Sequence, residues 1–277
     1  MSGRTAQTDS EEADSEEADF AEADFAPAGF RVSAPHLTGA VGTALGAGGA
    51  AVLDNPIWGS LTSAHAHLAI RRGRAARYPS GLSLFAAVED DADPAAWADL
   101  AALCEPGEIV YLAGLRGTPP PGWDTLSTLE GVQMVGLCMA GQTDPEAVPL
   151  GPRDVPEILA LVHRTRPGPF LQRTIELGSY LGIRHGGALV AMAGERMRPP
   201  GWTEISAVCT DEGHRGKGLA RRLVHSVVAG IQERGETPFL HVGATNTPAI
   251  RLYQKLGFTI RRRIAFVQVR VPRLRGS

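Results

Sequence analysis

The residues best suited to chemistry lie in one short loop over 211–220, which reads Asp-Glu-Gly-His-Arg-Gly-Lys-Gly-Leu-Ala. Glycine at 216 and 218 lets the backbone approach a ligand closely and adopt dihedral angles that other residues avoid. The residues that follow predict a helix, whose first N–H groups lack intrahelical partners and carry partial positive charge. Arg215 and Lys217 add charge. The pattern therefore predicts a site for phosphate groups at the start of that helix.

Other interpretations of these glycines fit less well. A lone Gly-x-Gly is also typical of a helix end or a hinge. The phosphate loop of nucleotide-binding proteins needs Ser or Thr after Gly-Lys, where this chain has Gly218, and the dinucleotide fingerprint needs one more spaced glycine. The glycine-rich stretch over 42–49 has no preceding strand. Phosphate binding by the loop is the favoured interpretation.

An alternating pattern predicts a strand over 203–210, directly before the loop. The two predicted faces carry Trp202, Glu204, Ser206, Val208 and Thr210 on one side and Thr203, Ile205, Ala207 and Cys209 on the other. Cys209 thus faces away from Val208 and Thr210. Because no His and Asp set accompanies it, Cys209 is interpreted as structural and not as a nucleophile.

The neighbouring segments predict the elements that position the loop. From residue 154 onward the order is helix, three strands, helix, strand, helix, strand. Apolar residues recur every four positions over 219–231 and Gly235 ends that helix. A buried strand over 238–242 and a helix starting at Thr247 follow. Helical spacing over 94–104 and a buried strand over 108–115 give the first half an α/β character too.

The loop also carries a family resemblance. Arg215, Gly218 and Ala220 match the signature Arg/Gln-x-x-Gly-x-Gly/Ala of the GNAT superfamily of acyl-CoA N-acyltransferases, which the chain resembles over about 150–271. The strand over 238–242 and the helix over 249–258 are similar to the branch related to glycine N-acyltransferases. The resemblance implies an α/β fold with a mixed, mostly antiparallel central sheet flanked by helices.

The same resemblance implies acetyl-CoA, or a longer acyl-CoA, as co-substrate. The residues it assigns to coenzyme binding are Val208, Thr210, Arg215, Gly216, Lys217, Gly218, Leu219, Ala220 and Asn246. In this assignment the backbone N–H of Val208 stabilises the tetrahedral oxyanion and Thr210 helps to hold the pantetheine arm. Asn246 either reaches the coenzyme or caps the following helix.

Acyl transfer to an amine requires a base, because a lysine-like amine with a pKa near ~10.4 is mostly protonated at neutral pH. Glu204 is the predicted general base, directly or through water, since burial can raise the pKa of a carboxyl group. Glu195 and Glu176 are rivals. The alternative is that Glu204 is a paired or solvated strand residue.

The departing CoA thiolate needs a proton donor, and the resemblance assigns that role to Tyr253. A tyrosine hydroxyl is neutral at pH 7 and can donate. The alternative for Tyr253 is a core tyrosine packed with Ile250 and Leu256. For the acceptor, Glu176 and Tyr180 are candidates to orient an amine, with ordinary packing and solvation as an equal alternative.

The 277 residues favour two domains. Residues 1–30 hold nine acidic residues against Arg4, with a pentad repeat over 10–24, and predict a disordered acidic tail. Turn-rich residues near 140–150 predict a linker. From the resemblance we expect a catalytic GNAT domain over 146–277. We also expect a degenerate GNAT-like domain over 31–145, which lacks an Arg-x-x-Gly-x-Gly loop and would supply the acceptor wall or shape.

Composition excludes several classes of function. The net charge is −3, and outside the tail it is about +5, too dispersed for a nucleic-acid binder. Three separated cysteines predict neither a disulfide framework nor a metal site, and His214 and His241 are interpreted as a surface and a strand histidine. No segment predicts a signal peptide or membrane span, so a cytoplasmic protein, monomer or homodimer, is expected.

Together these features predict an N-acetyltransferase that moves an acetyl group from acetyl-CoA to a primary amine by direct attack with help from a general base. The acceptor is a small-molecule or peptide amine. The alternative is a CoA-binding regulatory module without catalytic activity. The presence of both Glu204 and Tyr253 favours the enzyme, and a measurement of thiol release separates the two hypotheses.

Overall fold

The computed structural model describes residues 49–273, and the predicted acidic tail over 1–30 lies outside them. Helices and strands alternate along the described chain. The helices are α1 (Pro56–Leu61), α2 (Pro94–Ala101), α3 (Val155–Thr165), α4 (Leu219–Glu233) and α5 (Thr247–Lys255). The strands are β1 (Ile70–Arg72), β2 (Ala75–Arg77), β3 (Ala86–Val88), β4 (Ile109–Ala113), β5 (Asp124–Val135), β6 (Val148–Leu150), β7 (Tyr180–His185), β8 (Ala188–Glu195), β9 (Trp202–Thr210), β10 (Thr237–Gly243) and β11 (Thr259–Arg270).

Eight strands form one central sheet in the order β4-β11-β5-β10-β9-β8-β7-β6. Its neighbouring strands are antiparallel except β9 and β10, which run parallel. The prediction of a mixed, mostly antiparallel sheet flanked by helices is confirmed. β1, β2 and β3 form a separate small antiparallel sheet. Between residues 49 and 273 no helix is long and apolar enough to cross a membrane.

Helices cover both faces of the central sheet because successive side chains of a strand point to opposite faces. Ala193 of β8 packs in one apolar cluster with Leu223 of α4. The preceding residue, Met192, packs in another cluster with Ile158 of α3. The sheet is therefore held between α4, joined by Tyr253 of α5, and α3.

Strands from both sides of the predicted boundary at residue 145 share this sheet. β5 lies between β10 and β11, where Val135 pairs with Phe239 and Val132 pairs with Val242. β4 pairs with the other side of β11. The first half of the chain thus completes the sheet of the second half. The division into two GNAT-like domains stays a prediction, and any such division has to accommodate a shared sheet.

The alternation predicted for β9 is wrong beyond residue 206 because the strand contains a bulge. The register passes from Ser206–Gly194 to Cys209–Met192, so two residues of β9 face one residue of β8. Ala207 has a φ of 54°, which turns the chain locally. Val208 therefore packs against the same cluster as Ile205, on the face opposite the one predicted. Cys209 does face away from Val208, as expected.

Candidate active site

A cavity opens where β9 and β10 separate. These two strands pair only from Trp202–Thr237 to Ile205–Leu240, and the residues that follow on each strand diverge. The gap between them belongs to a cavity of about 810 Å³. Val208 on one strand and His241 on the other both line it. The parallel pair therefore opens into the cavity beyond Ile205 and Leu240.

The glycine loop borders this cavity. Gly216 and Gly218 both have a φ of 76°, which glycine adopts without steric cost. A Cβ atom at Gly216 would meet no atom within 4 Å, and one at Gly218 would meet only the Arg221 guanidinium, at 3.9 Å. Backbone conformation therefore accounts for the two glycines, and the space in front of them is open.

Helix α4 begins at this loop without a side-chain cap. Gly218 is its N-cap residue, and no acidic side chain lies in the first turn. Its first N–H groups thus keep the partial positive charge that favours an anion. The helix spans residues 219–233 with Gly235 just beyond it, as the sequence predicts.

Two buried polar atoms beside the loop have no hydrogen-bond partner within residues 49–273. They are the Thr210 hydroxyl oxygen and the Nδ1 atom of His214. Both residues line the cavity. Buried polar groups are nearly always satisfied, so these two atoms indicate a ligand with polar groups of its own. Such a ligand is consistent with a pantetheine arm and a pyrophosphate, and the residues present fit a coenzyme A ester.

The predicted coenzyme-binding residues converge on this cavity with one exception. Those that line it are Val208, Thr210, Arg215, Gly216, Gly218, Leu219, Ala220 and Asn246. Lys217 does not line it and is exposed. Asn246 also caps α5 by accepting from the Ala249 N–H at 3.2 Å, so both alternatives considered for it are compatible with its position.

Tyr253 lies on the cavity wall and is mostly buried. Its ring packs edge-on against Phe258, with 5.9 Å between ring centroids. Burial raises the pKa of its hydroxyl to about 12. The hydroxyl is thus protonated at neutral pH and able to donate.

Glu204 is completely buried and is absent from the cavity wall. Its two carboxylate oxygens accept from Nε and Nη2 of Arg196 at 2.9 and 2.7 Å, and one of them also accepts from Nδ1 of His241 at 2.7 Å. Burial alone would raise the pKa of this carboxyl group, but Arg196 and His241 outweigh it and lower the pKa to about 2. Glu204 is the paired strand residue of the alternative interpretation, and it holds both neighbours in place.

Of the three residues Glu204, Arg196 and His241, both Arg196 and His241 line the cavity. Its Nε2 atom lies 3.0 Å from Nε2 of Gln133, which also donates to the Leu53 carbonyl at 2.8 Å. Arg261 donates to the other end of the Gln133 amide at 2.7 Å and so fixes its orientation. Because the Gln133 nitrogen is a donor, Nε2 of His241 accepts and Nδ1 carries the proton toward Glu204.

The far end of the cavity is built partly by the first half of the chain. Phe85, Leu129 and Gly131 line it beside Phe266 of β11. None of these residues, nor Arg196, was predicted as a site residue. Phe85 and Leu129 are apolar residues of the kind that ordinarily fill a core, and only the position of β5 between β10 and β11 brings Leu129 and Gly131 to the site.

The rival site residues lie elsewhere. Glu176 is paired with Arg173 at 2.8 Å. Glu195 is paired with Arg234 at 2.8 Å. Tyr180 is buried and directs its hydroxyl to the Thr174 carbonyl, at 3.4 Å. None of the three lines the cavity. Within the described residues no group of His, Cys, Asp and Glu side chains could hold a metal ion.

Comparison with known proteins yields matches for most of the described chain. The profile of the family described as FR47-like protein matches residues 180–267. A solved structure from Novosphingobium aromaticivorans, assigned to the GNAT family of acetyltransferases, is 40% identical and covers 78% of this chain and 97% of its own, with a TM-score of 0.72. A GCN5-related N-acetyltransferase from Kribbella flavida shares the fold at 17% identity, with a TM-score of 0.52.

Two curated proteins match shorter segments. The N-alpha-acetyltransferase RimI of Mycobacterium tuberculosis is 36% identical over 82 residues, which cover 28% of this chain and 51% of that protein. The mycothiol acetyltransferase of Thermobispora bispora is 42% identical over 57 residues, which cover 20% of this chain and 19% of that protein. The chain thus spans about half the length of the first relative and a fifth of the second.

Proposed function

Since this chain belongs to the GNAT family of acetyltransferases, we propose that it transfers an acetyl group from acetyl-CoA to a primary amine by direct attack of the amine on the thioester. The observation that carries the proposal is the cavity between β9 and β10, bordered by the uncapped start of α4. The curated relatives are named as acetyltransferases, which supports the same chemistry. The relation to the glycine N-acyltransferase branch stays a prediction.

The coenzyme would occupy the cavity with its pyrophosphate at the glycine loop. The free N–H groups at the start of α4 and the positive φ of Gly216 and Gly218 support this placement. The unpartnered Thr210 hydroxyl supports a pantetheine arm beside β9. The bulge at Ala207 takes Val208 out of the regular ladder, which supports its backbone N–H as donor to the thioester oxygen.

In the proposed reaction the amine nitrogen bonds to the carbonyl carbon, the carbon–sulfur bond breaks, and the products are an amide and CoA. The amine loses one proton and the thiolate gains one. Tyr253 is the proposed donor to the thiolate, because it lines the cavity and its hydroxyl is protonated at neutral pH. A proton donor at this position contributes about 10²-fold or more to the rate.

We propose that His241 is the base that accepts the proton of the amine, and that Glu204, the predicted base, acts by orienting His241. A carboxylate with a pKa of about 2 has little tendency to take a proton at pH 7, and Glu204 does not reach the cavity. It does orient the imidazole, so that Nε2 of His241 keeps its lone pair. The attacking amine has to displace the Gln133 N–H from that atom. Glu204 is then a positioning residue and His241 the proton acceptor.

The experiment is an assay of CoA thiol release with acetyl-CoA and a panel of primary amines. We expect release with at least one amine, and Tyr253→Phe should lower kcat about 10²-fold with little change in the KM for acetyl-CoA. Tyr180→Phe is the matched control, since that buried tyrosine is off the cavity wall. His241→Gln in the same assay should lower kcat with little change in the KM for acetyl-CoA.

Binding of acetyl-CoA without thiol release from any amine would favour the CoA-binding regulatory module instead. Equal losses in Tyr253→Phe and Tyr180→Phe would show that packing, not proton donation, explains the effect of the first variant. Full activity of His241→Gln across the pH range would remove His241 from the mechanism.

A further inference from the structure

The charged side chains that line the cavity all carry positive charge. Among residues 49–273 no Asp or Glu side chain lines the cavity, although the chain as a whole has more acidic than basic residues. Four guanidinium groups do line it: Arg166, Arg196, Arg215 and Arg221. An acceptor with several positive charges, such as a polyamine or a lysine-rich segment, would meet repulsion and no compensating carboxylate there.

Arg215 and Arg221 flank the glycine loop, so their charge faces the coenzyme phosphates of the proposed function. Arg196 is not part of the glycine loop and lies on the cavity wall with Phe85 and His241. Its guanidinium carbon is 5.0 Å from the centre of the Phe85 ring. A positive charge at this end of the cavity is not needed by the coenzyme loop and is available to the acceptor.

The hydrogen bonds of Arg196 to Glu204 use two of the five N–H donors of its guanidinium group. Nε and Nη2 donate to Glu204, while Nη1 has no hydrogen-bond partner within the described chain. About 15% of the side chain is exposed, and its residue forms part of the cavity wall. The outer edge of a guanidinium group, formed by Nη1 and Nη2, matches the two oxygens of a carboxylate.

Apolar rings surround this charge. Phe85 and Phe266 lie 5.9 Å apart between ring centroids, and Leu129 lies on the same wall. Such a wall favours an apolar or aromatic body beside the group that Arg196 binds. We propose that the acceptor is an amine that also carries a carboxylate, like an amino acid, and this rests on the proposed acetyl transfer. Arg196 binds the carboxylate, and the apolar body of the acceptor packs against Phe85 and Phe266.

The test compares three phenylalanine-like acceptors that differ at the carboxylate, together with a polyamine that has no carboxylate. Full-length protein with saturating acetyl-CoA is assayed with L-phenylalanine, L-phenylalaninamide, 2-phenylethylamine and spermidine. The amide has the more easily deprotonated amine, so a preference for the free amino acid has to come from its carboxylate. We expect kcat/KM for phenylalanine to exceed that for the amide about tenfold or more, with spermidine lowest.

Two variants locate the effect. Arg196→Lys keeps a charge beside Glu204 but loses the second donor pair, and should reduce the preference for phenylalanine over its amide to about threefold or less. The double variant Arg196→Gln with Glu204→Gln removes both charges together, and should give the same result without leaving a buried carboxylate unpaired. As a control, Phe85→Leu should lower kcat/KM for phenylalanine and for its amide equally and leave their ratio unchanged.

A binding measurement separates failure of this proposal from failure of the proposed function. Titration with 3-phenylpropanoate, which has the carboxylate but no amine, should give binding at least about tenfold tighter than with 3-phenylpropanol, and Arg196→Lys should reduce that difference to about threefold or less. Equal binding of the acid and the alcohol, or turnover that favours the amide or spermidine, would overturn the proposal while acetyl transfer stands. Selective binding of the acid without turnover of any acceptor would uphold the site and overturn the transferase function.

Discussion

At the scale of single residues, the group that decides the chemistry of the site is a buried charge pair. Glu204 is fully buried and Arg196 is mostly buried, and each is stabilised by the other's charge through two hydrogen bonds. Removing one partner of such a pair leaves an uncompensated charge, which is strongly destabilising. The pair therefore fixes the positions of Arg196 and His241 on the cavity wall.

The pKa of Glu204 makes this contribution dependent on pH. Its folded-state pKa is lowered from 4.5 to about 2 by Arg196 and His241 against the opposing effect of burial. The resulting stability is fully present above about pH 4.5 and is lost as the pH falls toward 2. We expect the difference in unfolding free energy between the wild type and Glu204→Gln to shrink by up to about 3 kcal/mol over that range, measured by urea denaturation.

Glu176→Gln is the control for this measurement. Glu176 is also ion-paired, but it is exposed to solvent, so its difference from the wild type should stay small at each pH. A gap between wild type and Glu204→Gln that is constant from pH 7 to pH 3 would contradict the lowered pKa.

At the scale of elements, the start of α4 depends on a glycine for its backbone and not for packing. Gly218 and Gly235 flank this helix with φ values of 76° and 72°, and neither has a crowded Cβ position. An alanine at either site has to adopt the left-handed region, at a cost of about 1 kcal/mol. The two positions are thus matched in backbone strain, and only Gly218 lies on the cavity wall.

We therefore expect Gly218→Ala and Gly235→Ala to lower the unfolding free energy by similar amounts, about 1 kcal/mol each. Gly218→Ala alone should raise the KM for acetyl-CoA, because its methyl group occupies the space in front of the helix start. Thermal unfolding and steady-state kinetics on the two variants check both statements. An equal rise of KM in both variants would show that helix stability, and not contact with the coenzyme, is responsible.

Helix α4 and the loop before it could be predicted from the sequence, whereas two features beside them could not. The loop, α4 and Gly235 were predictable because glycine conformation and a four-residue apolar repeat are local signals. The bulge in β9 was not, because an alanine at a φ of 54° leaves no local pattern. Val208 consequently faces the opposite side from the one alternation predicts. The contact between His241 and Gln133 could not be predicted either, since the two residues are 108 positions apart in the sequence.

At the scale of the whole molecule, the two halves share one sheet and one cavity. β5 contributes Gln133, which contacts His241, and Leu129 and Gly131, which line the cavity. That the first half supplies the acceptor wall stays a prediction. Composition and periodicity do not indicate which distant strands pair, so the insertion of β5 between β10 and β11 had no signal in the sequence.

This shared sheet predicts the outcome of separating the halves. A fragment over 146–277 lacks β5, so β10 and β11 lose the strand between them, and the buried Val132, Met134 and Val135 leave the core. Unpaired strand edges and exposed apolar faces favour aggregation over folding. We expect the fragment to show no cooperative thermal unfolding, whereas deletion of residues 1–30, the predicted tail, should leave the melting temperature unchanged. Circular dichroism on both proteins makes the comparison, and a fragment that melts cooperatively near the temperature of the full chain would show that residues 146–277 fold alone.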